Sequence, residues 1–232
     1  MPSARPSRLP AVTILLVTTV APLMVGALYL IFQYAPEERV MGAVQRIFYF
    51  HVPSAMVAFA STFVLLLGSV GFLWTGRRGF DYLAIAATEL AFVFCTLVIV
   101  TGPIWAKPAW GTWWTWEAKL TTTLVLWLLL AASMMVRGQA DNREQGARFG
   151  AILGVVAALD VPVIYKAVDW WRGQHPVVFR PGAGSSALDP RMRTAFLVAM
   201  GTFFVLYTVL LLLRYRVAAV EDRVRDLDER LA

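Results

Sequence analysis

Six long apolar runs constrain this chain more than any other feature. They are Ala11 to Phe32, Pro53 to Trp74, Tyr82 to Ile104, a stretch ending at Val136, Phe149 to Tyr165, and Ala195 to Leu213. A hydrocarbon core about 30 Å thick is crossed by about 20 mainly apolar residues in a helix. Inside it only helices and closed barrels satisfy every backbone N–H and C=O. The runs therefore predict an all-α integral membrane protein with six transmembrane helices. The fourth run is short when counted from Leu120, so its helix is expected to begin inside "WGTWWTWEAKL", Trp110 to Leu120. Of 232 residues, 59% are hydrophobic and 16% charged, against about 25% charged in an average soluble domain. No room is left for a separate soluble domain. The first run is too long and starts too early for a signal peptide, and no small-residue cleavage site follows it, so it is expected to stay as a helix.

The net charge of +6 would suggest nucleic acid in a soluble chain. In a membrane protein basic residues first report topology, and no nucleic-acid partner is expected. Arg5, Arg8, Arg77, Arg78, Arg137, Arg143, Arg148, Arg214, Arg216, Arg223, Arg225 and Arg230 fall on one side, twelve of the chain's 21 Lys and Arg residues, leaving nine on the other. The excess predicts both termini and the two short even-numbered loops on the cytoplasmic side of the membrane. Whichever way the chain inserts, six spans force loops one, three and five onto the same face.

Those three loops hold the chemistry. Loop one, Gln33 to Val52, contains "RIFYFHVPSA"; loop three holds the tryptophan segment; loop five, Val168 to Pro190, reads "VDWWRGQHPVVFRPGAGSSALDP". The chain's only two histidines, His51 and His175, are both there. After the sixth run, Val217, Val220, Val224, Leu227 and Leu231 recur at alternating three- and four-residue steps, the pattern of an amphipathic helix with a narrow apolar seam. Residues 1–216 are thus expected to form a six-span membrane domain and residues 217–232 a cytoplasmic C-terminal helix, against protein or membrane or paired with a partner.

Tryptophan suits both membrane interfaces and would form a belt on each side. Here Trp105, Trp110, Trp113, Trp114, Trp116, Trp170 and Trp171 crowd onto one face, with Trp74 near the other and Trp127 in mid-span. A clustered aromatic surface is what a large, flat, apolar ligand requires. Neutral imidazole is a common metal ligand and a standard axial ligand of haem iron. Zinc competes: His51 and His175 with one carboxylate reach the three protein ligands of a catalytic site, but leave the tryptophans unexplained. Lys107 and Lys119 flank the cluster and Arg172 and Arg180 flank His175, where they meet either porphyrin propionates through charge-assisted hydrogen bonds or lipid phosphates. Glu117 either orients a tryptophan N–H or pairs with Lys119. Glu89, at membrane depth in the third run, fits a helix-to-helix hydrogen bond better than a proton route. Asp160, near the outer end of the fifth run, is the other acid within the membrane. The single cysteine, Cys95, forms no internal disulfide and belongs to no Cys-based metal or haem-attachment motif.

Three segments carry a resemblance: "RIFYFHVPSA" (Arg46 to Ala55), "TGPIWAKPAWGTWWTWEAKLT" (Thr101 to Thr121) and "DVPVIYKAVDWWRGQHP" (Asp160 to Pro176). In this order, on alternate loops, they resemble the CcmC family of cytochrome c biogenesis proteins, among the tryptophan-rich WWD haem-handling proteins, over nearly the whole six-span body. The resemblance implies haem b held at the periplasmic face with His51 and His175 as axial ligands and the tryptophan loop against the porphyrin. It implies delivery of that haem to a membrane-anchored haem chaperone, with an ABC-transporter ATPase, its membrane subunit and a small single-span accessory subunit as further partners. The chain would then be a haem-binding delivery factor rather than an enzyme, though one able to assist covalent attachment of haem to the chaperone. Three positions depart from the family pattern: Glu117 stands where Asp is usual, Lys119 where Arg is usual, and Met56 where Trp is common. Lys119 lacks arginine's bidentate fork. The rival functions are a cytochrome b-type electron-transfer subunit, and a scaffold or transporter that uses the tryptophans to dock a partner.

Overall fold

The computed structural model describes residues 11–173, 175 and 188–231. They form six helices and, among the described residues, no β-strand: α1 (Ala11–Tyr29), α2 (Phe48–Thr75), α3 (Arg78–Trp110), α4 (Ala118–Gln139), α5 (Arg143–Trp171) and α6 (Pro190–Leu231). A π-helical turn, Leu30–Tyr34, extends α1, and a 3₁₀ turn, Ala43–Ile47, leads into α2. All six are long and apolar enough to cross a membrane, so the fold is that of a multi-pass membrane protein.

The central pair is α2 and α3, flanked by α5, α4 and α6, while α1 packs chiefly on α6. Helices in lipid associate by close packing and interhelical hydrogen bonds, because burial of apolar surface offers no gain over lipid contact. Small residues do that here. A Cβ on Gly68 would lie 2.8 Å from the Ala84 backbone N, and one on Gly154 would lie 2.5 Å from Ser69 Oγ. Ser61 Oγ donates to the Ala87 carbonyl at 2.8 Å between α2 and α3, and Ser133 Oγ to that of Gly150 at 3.0 Å between α4 and α5. Trp127, in mid-span, donates from Nε1 to Thr96 Oγ1 at 2.8 Å and stacks on Phe92, so it is a packing residue between α3 and α4.

The two even-numbered connections are tight. Gly76, with φ 65°, closes α2 by donating its N–H to the Phe72 carbonyl; a side chain there would be strained. Asn142 Oδ1 caps α5 by accepting from the Gln145 N–H at 2.9 Å. Around these turns the arginines that mark topology in the sequence are engaged in ion pairs. Arg137 meets Asp81 at 2.6 Å, Arg78 meets Glu144 at 3.5 Å, and Arg143 reaches Asp222, Asp226 and Glu229 at 3.0, 2.7 and 2.7 Å. Glu89 accepts two bonds from Arg214, at 2.5 and 2.6 Å, which joins α3 to α6. The helix-to-helix reading of Glu89 agrees with this, although its partner is a charge from the far end of the sequence. The division at residues 216 and 217 falls within α6, which is one continuous helix.

Candidate functional site

At the end of the bundle opposite those turns, α2, α3, α4 and α5 surround a cavity of about 450 Å³, within the range of small-molecule and cofactor sites. Its lining includes His51, Trp105, Trp110, Trp114, Lys119 and His175, with Met41, Met56, Phe59, Ile164 and Tyr165 among the remaining apolar wall.

The 3₁₀ turn brings the chain into α2 at Phe48, so that His51 sits in the first turn of the helix and is buried. Its sequence expectation was a loop position; the helix starts earlier than the apolar run because Phe48 and Tyr49 are themselves core residues, packed with Ile31, Phe196 and Ala199. His51 Nδ1 lies 2.9 Å from Thr101 Oγ1, and that hydroxyl donates to the Leu97 carbonyl at 2.6 Å. A threonine hydroxyl has one proton. With it directed at Leu97, the oxygen accepts from His51, which puts the imidazole proton on Nδ1 and leaves the Nε2 lone pair for the cavity. This is how metal-binding histidines are commonly oriented. The next residue, Gly102, keeps the approach close: a Cβ there would lie 3.4 Å from His51 Cε1.

His175 comes from the connection after α5. Its Nδ1 is 3.6 Å from Glu117 Oε1, an electrostatic contact longer than a direct hydrogen bond, and its ring lies 6.0 Å from that of Trp110. Burial pushes its pKa below the ordinary histidine value, against the opposing pull of Glu117, and so favours the neutral imidazole that binds metals. Glu117 is the N-cap residue of α4, and a Cβ on Gly173 would lie 3.0 Å from its Oε2. The glycine two residues before His175 therefore lets the loop close onto the carboxylate.

α3 runs six residues beyond the end of its apolar run, carrying Trp105 and Trp110 on a helix rather than a loop, and stops where Gly111 (φ 76°) donates to the Lys107 carbonyl. α4 then starts at Ala118, inside the tryptophan segment as expected. The tryptophans divide into two sets. Trp105, Trp110 and Trp114 line the cavity, whereas Trp113, Trp116, Trp170 and Trp171 are exposed by 58, 76, 61 and 59%. Among the flanking cations, Lys119 lines the cavity. Lys107 instead donates to the Gly111 carbonyl and sits over the Trp113 ring, Arg172 ends α5, and Arg180 lies outside the described residues. Met56 is part of the cavity wall, where it offers a flexible thioether.

Whether these residues suit a porphyrin can be tested on their polar atoms. Trp105 Nε1 and Trp114 Nε1 are buried and lack a hydrogen-bond partner among the described residues. Such donors are costly without an acceptor, and both belong to cavity residues. An apolar aromatic chamber with two orphan N–H groups, one cation and two imidazoles suits a flat apolar molecule that carries acceptors at its edge and a metal at its centre. Thr101 was not singled out in the sequence, where nothing distinguishes it from the chain's other threonines.

Fold and site together define a six-span membrane protein with a histidine-bearing aromatic chamber at one end of its helical bundle. Residues 4–230 match the family model described as CcmC, heme exporter protein C, and the chain belongs to that family. It is 33% identical over 193 residues to heme exporter protein C of Bradyrhizobium diazoefficiens, covering 83% of this chain and 73% of that one. It is 34% identical over 189 residues to heme exporter protein C of Escherichia coli K12, covering 80% and 74%. A ccmC-like mitochondrial protein of cytochrome c biosynthesis from Marchantia polymorpha is 29% identical over 179 residues, covering 77% and 76%.

Proposed function

We propose that this protein takes part in haem handling for cytochrome c biogenesis: it binds haem b at the periplasmic face of the bacterial inner membrane and delivers it to a membrane-anchored haem chaperone. The observation that carries this reading is that the chain's only two histidines border one tryptophan-lined cavity. In it His51 and His175 are the axial ligands of the iron, Trp105, Trp110 and Trp114 bear on the porphyrin, and Lys119 meets a propionate. Glu117 holds the His175 ring through Nδ1, as Thr101 holds His51. The exposed Trp113, Trp116, Trp170 and Trp171 form the surface on which the chaperone docks, its binding energy positioning its nucleophile against a porphyrin edge. The haem is cargo, and the protein is a delivery factor rather than an enzyme. An ABC-transporter ATPase with its membrane subunit and a small single-span subunit complete the assembly. Residues 1–216 are the membrane unit and 217–232 the cytoplasmic tail, with both termini inside.

One observation favours the rival, a cytochrome b-type electron-transfer subunit. His51 is buried in a helix, where such proteins hold their ligands. The loop position of His175 opposes it.

The deciding experiment is the absorption spectrum of detergent-purified protein, oxidised and dithionite-reduced, for wild type, His51→Ala, His175→Ala and the double variant. The reading requires a low-spin spectrum that weakens in each single variant and vanishes in the double. Transfer of the bound haem to an apo-chaperone then separates delivery from electron transfer; haem that stays bound and is reduced by a quinol would make it an electron-transfer subunit.

A further inference from the structure

α6 extends past the bundle, and its last turns have two unlike faces. One face is fastened to the body. Ala218 is buried, Asp222 accepts from Tyr82 at 2.6 Å and from Arg143 at 3.0 Å, and Arg143 also reaches Asp226 and Glu229. At about 100° per residue, the opposite face carries Val217, Val220, Val224, Leu227 and Leu231, exposed by 47, 55, 50, 58 and 86%.

The steps between these five residues are three, four, three and four, the spacing of the a and d positions of a coiled coil. In that register the e positions are Glu221 and Asp228, both acidic, and the g positions are Arg216, Arg223 and Arg230, all arginine. In a parallel two-stranded coiled coil a g side chain meets the e side chain five residues further along the other helix. Two copies of this helix would therefore pair Arg216 with Glu221 and Arg223 with Asp228, in both directions. An antiparallel pair would set arginine against arginine and acid against acid. A lipid surface calls for basic residues along the polar flanks, and here one flank is acidic.

We infer that the end of α6, residues 216–231, is a parallel coiled-coil interface with a second copy of this chain. Valine at two of the three a positions and Leu227 at d suit two strands. Two heptads are too short to hold a free peptide in a helix, but here the helix is already continued from the membrane span. Copies inserted the same way present these helices in parallel, and confinement to one membrane raises their effective concentration.

The test is oxidative cross-linking of the full-length chain in its native membrane, where Cys95 is buried and unreactive. Identical a or d positions face each other only in a parallel pair, so Val224→Cys and Leu227→Cys should each give a covalent dimer, and Arg225→Cys, off the seam, should not. In the Val224→Cys background, Arg216→Glu with Arg223→Glu should reduce the dimer at least tenfold, as should Glu221→Arg with Asp228→Arg. Co-expressing the two charge-reversed chains with different tags should restore it as the mixed dimer alone. Monomer at both seam positions, equal cross-linking through Arg225→Cys, or indifference to charge reversal would overturn the proposal. So would quenching of a fluorophore on Leu227→Cys by bromolipid, which would mean a lipid-covered seam.

Discussion

Thr101 decides which nitrogen of His51 meets the cavity, because its own proton is directed to the Leu97 carbonyl. Loss of an outer partner of a metal-binding histidine typically lowers affinity by about 10- to 100-fold. Thr101→Val should weaken haem binding by about that factor in an absorbance titration, whereas Thr101→Ser should stay near wild type. The two sets of tryptophans should also separate. Trp114→Ala removes part of the cavity wall and should loosen haem itself, while Trp116→Ala, at 76% exposure, should leave the titration unchanged and impair transfer to the chaperone. The histidines were legible in the sequence because there are only two and both fall on one face. Thr101 was not, since its role depends on a contact across fifty residues and between two helices. Nor could composition separate the tryptophans that line the cavity from those left exposed, which depends on how α3, α4 and α5 end and pack.

The third apolar run ends at Ile104; the helix continues through Pro108 and ends at Trp110. Proline interrupts helices by removing a donor, but neighbouring segments in membrane bundles re-satisfy the freed carbonyl, and the turn that stops α3 is set by Gly111. The contact between α2 and α5 is equally local in cause. Gly154→Val would drive a side chain into Ser69 and Leu65, and overpacking of this kind costs about 1–3 kcal/mol. Thermal unfolding in detergent should begin several degrees lower for Gly154→Val, while Gly26→Ala, with open space around it, should be indistinguishable from wild type.

For the whole molecule, six spans place Trp116 and Asp141, which flank α4, on opposite sides of the membrane. With the termini inside, an impermeant thiol reagent should label Trp116→Cys from the periplasm of permeabilised-envelope cells, and Asp141→Cys only after the inner membrane is broken; the reverse pattern would invert the protein. Glu89→Ala should lower thermal stability more than the double change Glu89→Ala with Arg214→Leu, because it leaves the part-buried Arg214 with only its longer contact to Glu221, at 3.3 Å, in place of a bidentate partner. The number of spans, their approximate limits and the shared face of loops one, three and five were determined by the sequence itself, because hydrocarbon imposes a length and an apolarity that can be counted along the chain. Tertiary structure alone decided which tryptophans enclose space, that Thr101 orients His51, that Glu117 lies beside His175, and that Arg214 rather than another helix's hydroxyl answers Glu89. Those are contacts between residues far apart in the chain, and they follow from how closely small residues let the helices approach, which no single helix encodes.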